Sequence, residues 1–131
     1  MSVSEKAGRT VVFCAICFDE TKSQCGKATI FKYVTVNEGD CYDDTTGVFT
    51  TTVPGTYVFT ATMRHAKKDA LPIYIMVDGT DYAVLCSSST SVGSNSVSVQ
   101  LGLGQRVWLM ALDHCFDASS LFTGVLAQPQ L

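Results

Sequence analysis

An all-β fold follows from three features of the sequence. Apolar residues recur at every second position in several short runs, turn-forming residues return at intervals of about 8 to 12 residues, and no window of a dozen residues carries a 3.6-residue period. Ten glycines against three prolines, among dense Thr, Ser and Val, suit short strands joined by turns. The 131 residues make one domain of ordinary size. Strands this numerous in one domain pack as two sheets or a closed barrel.

In TYVFTATMR, Tyr57, Phe59, Ala61 and Met63 share one face while Val58, Thr60, Thr62 and Arg64 share the other. LPIYIMVDG repeats the pattern with Leu71, Ile73, Ile75 and Val77. Between IYIMV and DYAVL stand Asp78 and Gly79, the Asp-Gly pair of a tight hairpin. In SVSVQLGLG, Val97, Val99, Leu101 and Leu103 alternate with Ser96, Ser98, Gln100 and Gly102. RVWLMALD is more continuously apolar and reads as a strand buried on both faces, one of them against another protomer. The polar stretches 19–28, 64–70, 87–96 and 113–120 read as loops.

Composition narrows the function. Hydrophobic residues make up 47% and charged ones 16%, far from the regime that stays disordered. Nine Lys and Arg against twelve Asp and Glu give a net charge of -3, so no overall basic field holds a phosphate backbone, and nucleic acid is not an expected partner. No stretch approaches the roughly 20 apolar residues that span a bilayer, and MSVSEKAGRT lacks the apolar core of a signal peptide. The expectation is a soluble chain with no membrane insertion and no signal peptide in this sequence.

The chemistry-bearing residues are few. Six cysteines, Cys14, Cys17, Cys25, Cys41, Cys86 and Cys115, permit many pairings, and free buried thiols are the alternative. Cys14 and Cys17 stand three apart in an apolar strand, so they point to opposite faces and do not share a metal or redox centre. His65 and His114 are the only histidines, and neither belongs to a nucleophile motif or an H-E-x-x-H metal pattern. No enzymatic activity is expected. Asp40, Asp43 and Asp44 offer oxygens suited to calcium but lack the spacing of an EF-hand loop, so no cofactor is expected, with calcium as the alternative.

Phe31, Asn37, Tyr42, Phe49, Gly55, Tyr57 and Phe59 form a spaced set that propensity alone does not explain. The set resembles the signature of the C1q globular-domain family, an aromatic, an Asn or Asp, an aromatic, a Phe and a G-x-Y-x-F run. NEGDCYDDTTGVFTTTVPGTYVF, LGLGQRVWL and SSLFTGVL resemble successive core strands of that family, and VVFCA its first strand. Two positions depart from the pattern: Ala61 replaces a usual aromatic, implying local repacking, and Gln105 follows Gly104 where an acid is common, which puts a turn contact in question.

The resemblance implies a globular domain over residues 10–131 after an N-terminal segment, 1–9, folded as a ten-strand antiparallel jelly-roll β-sandwich of the C1q and tumour-necrosis-factor type and assembled as a compact homotrimer. It also implies an extracellular, secreted recognition protein: a C1q-like lectin for glycans or microbial surface polymers in innate immunity, or alternatively a signalling ligand for a protein receptor. If the chain enters and leaves at one end of the jelly roll, the four polar loops gather at the other. That end would present Arg64, His65, Lys67, Lys68, Asp113, His114 and Asp117 as the ligand-binding set, donors and acceptors held on loops by a rigid sandwich. Ordinary solvated loop charges are the plain alternative. Trp108 reads as a residue of the core or of an interface between protomers rather than a sugar-stacking platform.

Overall fold

The computed structural model describes residues 10–16, 21–23, 27–64, 73–84, 92–111, 114–116 and 120–130. They form twelve strands: β1 (Val12–Ile16), β2 (Thr21–Ser23), β3 (Tyr33–Glu38), β4 (Tyr42–Asp43), β5 (Val48–Thr50), β6 (Gly55–Arg64), β7 (Ile73–Val77), β8 (Thr80–Val84), β9 (Val92–Leu101), β10 (Arg106–Ala111), β11 (His114–Phe116) and β12 (Leu121–Pro129). Among the described residues there is no helix. One antiparallel sheet has the order β3-β1-β12-β6-β9 and the other β4-β5-β10-β7-β8, which together are the expected ten-strand jelly-roll sandwich.

The remaining two strands correct the loop reading of 19–28 and 113–120: β11 pairs with β2, His114 opposite Ser23, Cys115 opposite Lys22 and Phe116 opposite Thr21. Three-residue strands such as TKS are too short and polar to show an apolar period. The stretch 87–96 was also too long as a loop, because β9 already begins at Val92. Its first half is polar because it faces hydroxyls: Thr60 Oγ1 lies 3.0 Å from Ser96 Oγ and Thr62 Oγ1 lies 3.2 Å from Ser94 Oγ.

The core lies where the alternating residues place it. Tyr57, Phe59, Ala61 and Met63 of β6 are fully buried, as are Ile73 and Ile75 of β7 and Val107 and Leu109 of β10. Leu71 lies outside the described residues. Met76 is also buried, on the opposite face of β7, where it pairs with Trp108 of β10. Phe13 joins the two layers: its ring stacks on Tyr42 at 4.8 Å and Phe49 at 5.4 Å from the second sheet, and meets Phe122 edge-on at 5.0 Å in its own. Each such ring, fully removed from water, stabilises the fold by about 1.5–3 kcal/mol.

Hydrogen bonds explain the spacing of the aromatic set. Asn37 Nδ2 donates to the Tyr42 carbonyl at 2.9 Å and Asn37 Oδ1 accepts from the Tyr42 N–H at 3.2 Å, which closes the turn between β3 and β4. The Tyr42 hydroxyl accepts from the Phe31 N–H at 3.1 Å, and the Tyr57 hydroxyl donates to the Val53 carbonyl at 2.6 Å. Burial pushes both phenols up to about 12.

Two expectations need correction at the far end of β9. Leu103, expected to share the face of Leu101, is 73% exposed, because the strand stops at Leu101 and Gly104, at φ +80°, turns the chain toward β10. Gln105 keeps a turn contact: its Oε1 accepts from the Gly102 N–H at 2.6 Å and its Nε2 donates to Asp78 Oδ2 at 3.0 Å, which an acid at 105 could not do. Within the single chain β10 buries Val107 and Leu109 on its inner face, while Trp108 and Met110 are half-buried on the other.

Candidate functional site

Strand register fixes which ends share a side of the sandwich. In the first sheet Ile16 pairs with Leu121, Leu121 with Thr62, and Arg64 with Val92. In the second, Ala111 pairs with Ile73 and Tyr74 with Val84. The strand ends leading into 17–20, 65–72, 85–91, 112–113 and 117–119 therefore share one end. Thr10 and Gln130 lie beyond the other, next to Val12 and Pro129.

Of the seven residues expected to bind ligand, Arg64 closes β6 and His114 opens β11, both described by their backbone. His65, Lys67, Lys68, Asp113 and Asp117 lie outside the described residues, as do Cys17, Cys25 and Cys86. Cys14, half-buried, and Cys41, buried, are free thiols.

The acidic run after β3 is occupied with turn formation. Asp40 adopts φ +52°, and Asp43 Oδ1 accepts from both the N–H and the hydroxyl of Thr45, at 2.8 and 2.5 Å. These bonds hold the Asp43 carboxyl below its ordinary value. Among the described residues no three His, Cys, Asp or Glu side chains gather to hold a metal ion.

A separate concavity lies on the outer face of the second sheet, with a volume of about 320 Å³. Lys27, Ala28, Thr46, Val48, Arg106 and Trp108 line it. Val107 and Leu109 point inward, so Arg106, Trp108 and Met110 stand on the outer face. Thr29 N–H donates to the Leu109 carbonyl at 2.7 Å and Ala28 bridges Met110, which brings Lys27 to the far wall. The residues sit in different parts of the chain. The spacing of Arg106 and Trp108 is the only local sign of the groove, and nothing in the sequence near Lys27 announces its place there.

The aromatic set, the two five-stranded sheets and a family-model match to the C1q domain over residues 12–127 agree. The chain belongs to the C1q domain family. It is 31% identical over 105 residues to a complement C1q subcomponent of Rattus norvegicus, covering 73% of this chain and 41% of the rat protein. This chain thus spans under half the length of that relative. The globular domain of zebrafish complement 1qA superposes with a TM-score of 0.79 at 17% identity, over 92% of this chain and 99% of the other. The same fold extends to tumour-necrosis-factor-like proteins. Eiger TNF from S. frugiperda matches with a TM-score of 0.72 at 12% identity, over 94% of this chain and 96% of the other. Murine APRIL matches with a TM-score of 0.69 at 10% identity, over 89% and 98%.

Proposed function

We propose that this C1q domain is a non-enzymatic, extracellular recognition module that binds glycans or microbial surface polymers in innate immunity as a homotrimer. The observation that carries the reading is the register that brings the strand ends flanking the polar segments to one end of a rigid sandwich. Loops on a fixed scaffold can hold donors and acceptors in place at little ordering cost. The binding set is Arg64, His65, Lys67, Lys68, Asp113, His114 and Asp117.

The trimer is supported by the outer face of the first sheet. Across β1, β12, β6 and β9 the middle of that face carries Val12, Cys14, Ile16, Leu121, Thr123, Val125, Val58, Thr60, Thr62, Ser94, Ser96 and Ser98, none of them charged, and Arg64 continues the same alternation at the end of β6. An uncharged patch of that breadth suits packing between protomers. Three weak sites on one rigid trimer then give avidity that a single site lacks.

The second reading, a signalling ligand for a protein receptor, draws support from Tyr82, 49% exposed on the edge strand β8. Competition separates the two. Under the lectin reading a simple monosaccharide displaces the protein from a microbial polysaccharide. Indifference to sugars, with binding lost on substitution of Tyr82, would favour the receptor ligand.

A further inference from the structure

We propose that the groove between Lys27, Trp108 and Arg106 is a second carbohydrate subsite, on the side of the sandwich, specific for an acidic sugar residue bearing a carboxylate or sulfate. The inference rests on the glycan-recognition reading above and adds a place and a ligand class to it.

Trp108 and Val48 supply the apolar part of the groove, with Met76 paired to Trp108 across the sheet. The C–H groups on one face of a pyranose carry slight positive charge and suit the electron-rich face of an indole. Lys27 and Arg106 supply two exposed cations, and among the described residues no acidic side chain lines the groove, although the whole chain carries -3. Among the described residues neither cation is engaged in an ion pair. Two acids stand close by and both have partners: Asp78 accepts from the Arg106 backbone N–H at 2.9 Å and from Gln105 Nε2 at 3.0 Å, and Asp43, cross-strand partner of Val48, accepts from the Thr45 N–H and hydroxyl. A guanidinium meets a carboxylate or sulfate through two parallel hydrogen bonds, and an ammonium adds a point charge. Thr46 adds a hydroxyl for a sugar oxygen. A volume of about 320 Å³ stands at the small end of ligand sites, which favours one sugar residue over an extended protein epitope.

The site reports on itself, because Trp108 is the only tryptophan of the chain. The test titrates the full chain with galacturonate oligosaccharides, heparin-derived oligosaccharides, neutral dextran oligosaccharides and inorganic sulfate, reading tryptophan emission. The same titrations follow for a Lys27→Ala, Arg106→Gln variant and for the Arg64, His65, Lys67, Lys68 alanine variant. Both groove cations are exposed, and circular dichroism checks that the first variant keeps its fold. The expected result is an emission change with an acidic oligosaccharide and none with dextran. The affinity read from Trp108 emission should fall about tenfold or more in the groove variant, whereas the loop variant should keep the Trp108 emission change even as its binding on an array falls. Glycan binding on an array without any change in Trp108 emission would overturn the subsite and leave the proposed function standing. An equal response to inorganic sulfate would overturn the sugar specificity. No glycan binding of any kind would overturn both readings.

Discussion

Phe13 of β1 and Gly124 of β12 are cross-strand partners, and the Phe13 ring lies in the space a side chain at 124 would occupy. A Cβ there would stand 2.5 Å from Phe13 Cε1 and 2.8 Å from Phe59 Cδ1. Both rings belong to the aromatic cluster that joins the sheets. Gly124→Ala should therefore destabilise the domain by about 1–3 kcal/mol through overpacking, read from urea midpoints at unchanged slope. An unchanged midpoint would mean that the rings move aside at no cost.

Asp78 fastens the β7–β8 hairpin to β10 through the Arg106 N–H and the Gln105 amide, and these bonds hold its carboxyl below the ordinary value. A folded-state pKa below the unfolded one stabilises at neutral pH, and the contribution disappears as pH falls through the lowered value. Asn at 78 would present a donor to Gln105. Asp78→Asn should cost about 0.5–1 kcal/mol at pH 7, modest because the turn is exposed, and should flatten the stability profile below about pH 4. Parallel acid profiles for the two proteins would contradict this.

The buried phenols govern the alkaline limb. Tyr42 and Tyr57 stand near 12 in the fold, chiefly through burial, against about 10 in the unfolded chain. Their contribution is whole below pH 10 and is lost as pH rises toward 12, because the unfolded chain gives up those protons first. Stability should fall between pH 10 and 12 by up to about 1.4 kcal/mol per pH unit for each tyrosine. Tyr57→Phe should halve that slope and, by leaving the Val53 carbonyl without its donor, cost about 1 kcal/mol at pH 7. An unaltered slope would show that Tyr57 ionises freely in the fold.

Val125 pairs with Val12 on one side and Val58 on the other, in the uncharged middle of the outer face of the first sheet. It is an exposed position in the single chain, so a charge there is tolerated by the fold. Under the proposed trimer, Val125→Arg should yield folded monomers in sedimentation velocity while the parent sediments as a trimer. A variant that sediments like the parent would remove this face from the contact between protomers.

Long strands with strict alternation were legible: β6 has its core residues at every second position, and Asp78-Gly79 turns as its chemistry requires, both residues at positive φ. The aromatic spacing was legible because Asn37, Tyr42 and Phe31 bond one another across short loops. β2, β11 and the start of β9 were not, since their neighbours are polar and leave no apolar period. The burial of Met76 was not legible because it lies on the face opposite Ile73 and Ile75, beside Trp108 of a strand distant in sequence. Of the expected loop-end set, the backbone fixes the position of Arg64 and His114 alone. The Lys27 side of the groove depends on a bridge from Ala28 to Met110, a separation in sequence that periodicity does not reach.

The most direct measurement is binding of the purified protein to a broad array of glycans and microbial polysaccharides, with and without a chelator, beside the Arg64, His65, Lys67, Lys68 alanine variant. The proposed function predicts selective glycan binding that is greatly reduced in the variant; sensitivity to the chelator would add calcium to the site. A blank array from a folded trimer would contradict the lectin reading and turn attention to a protein receptor.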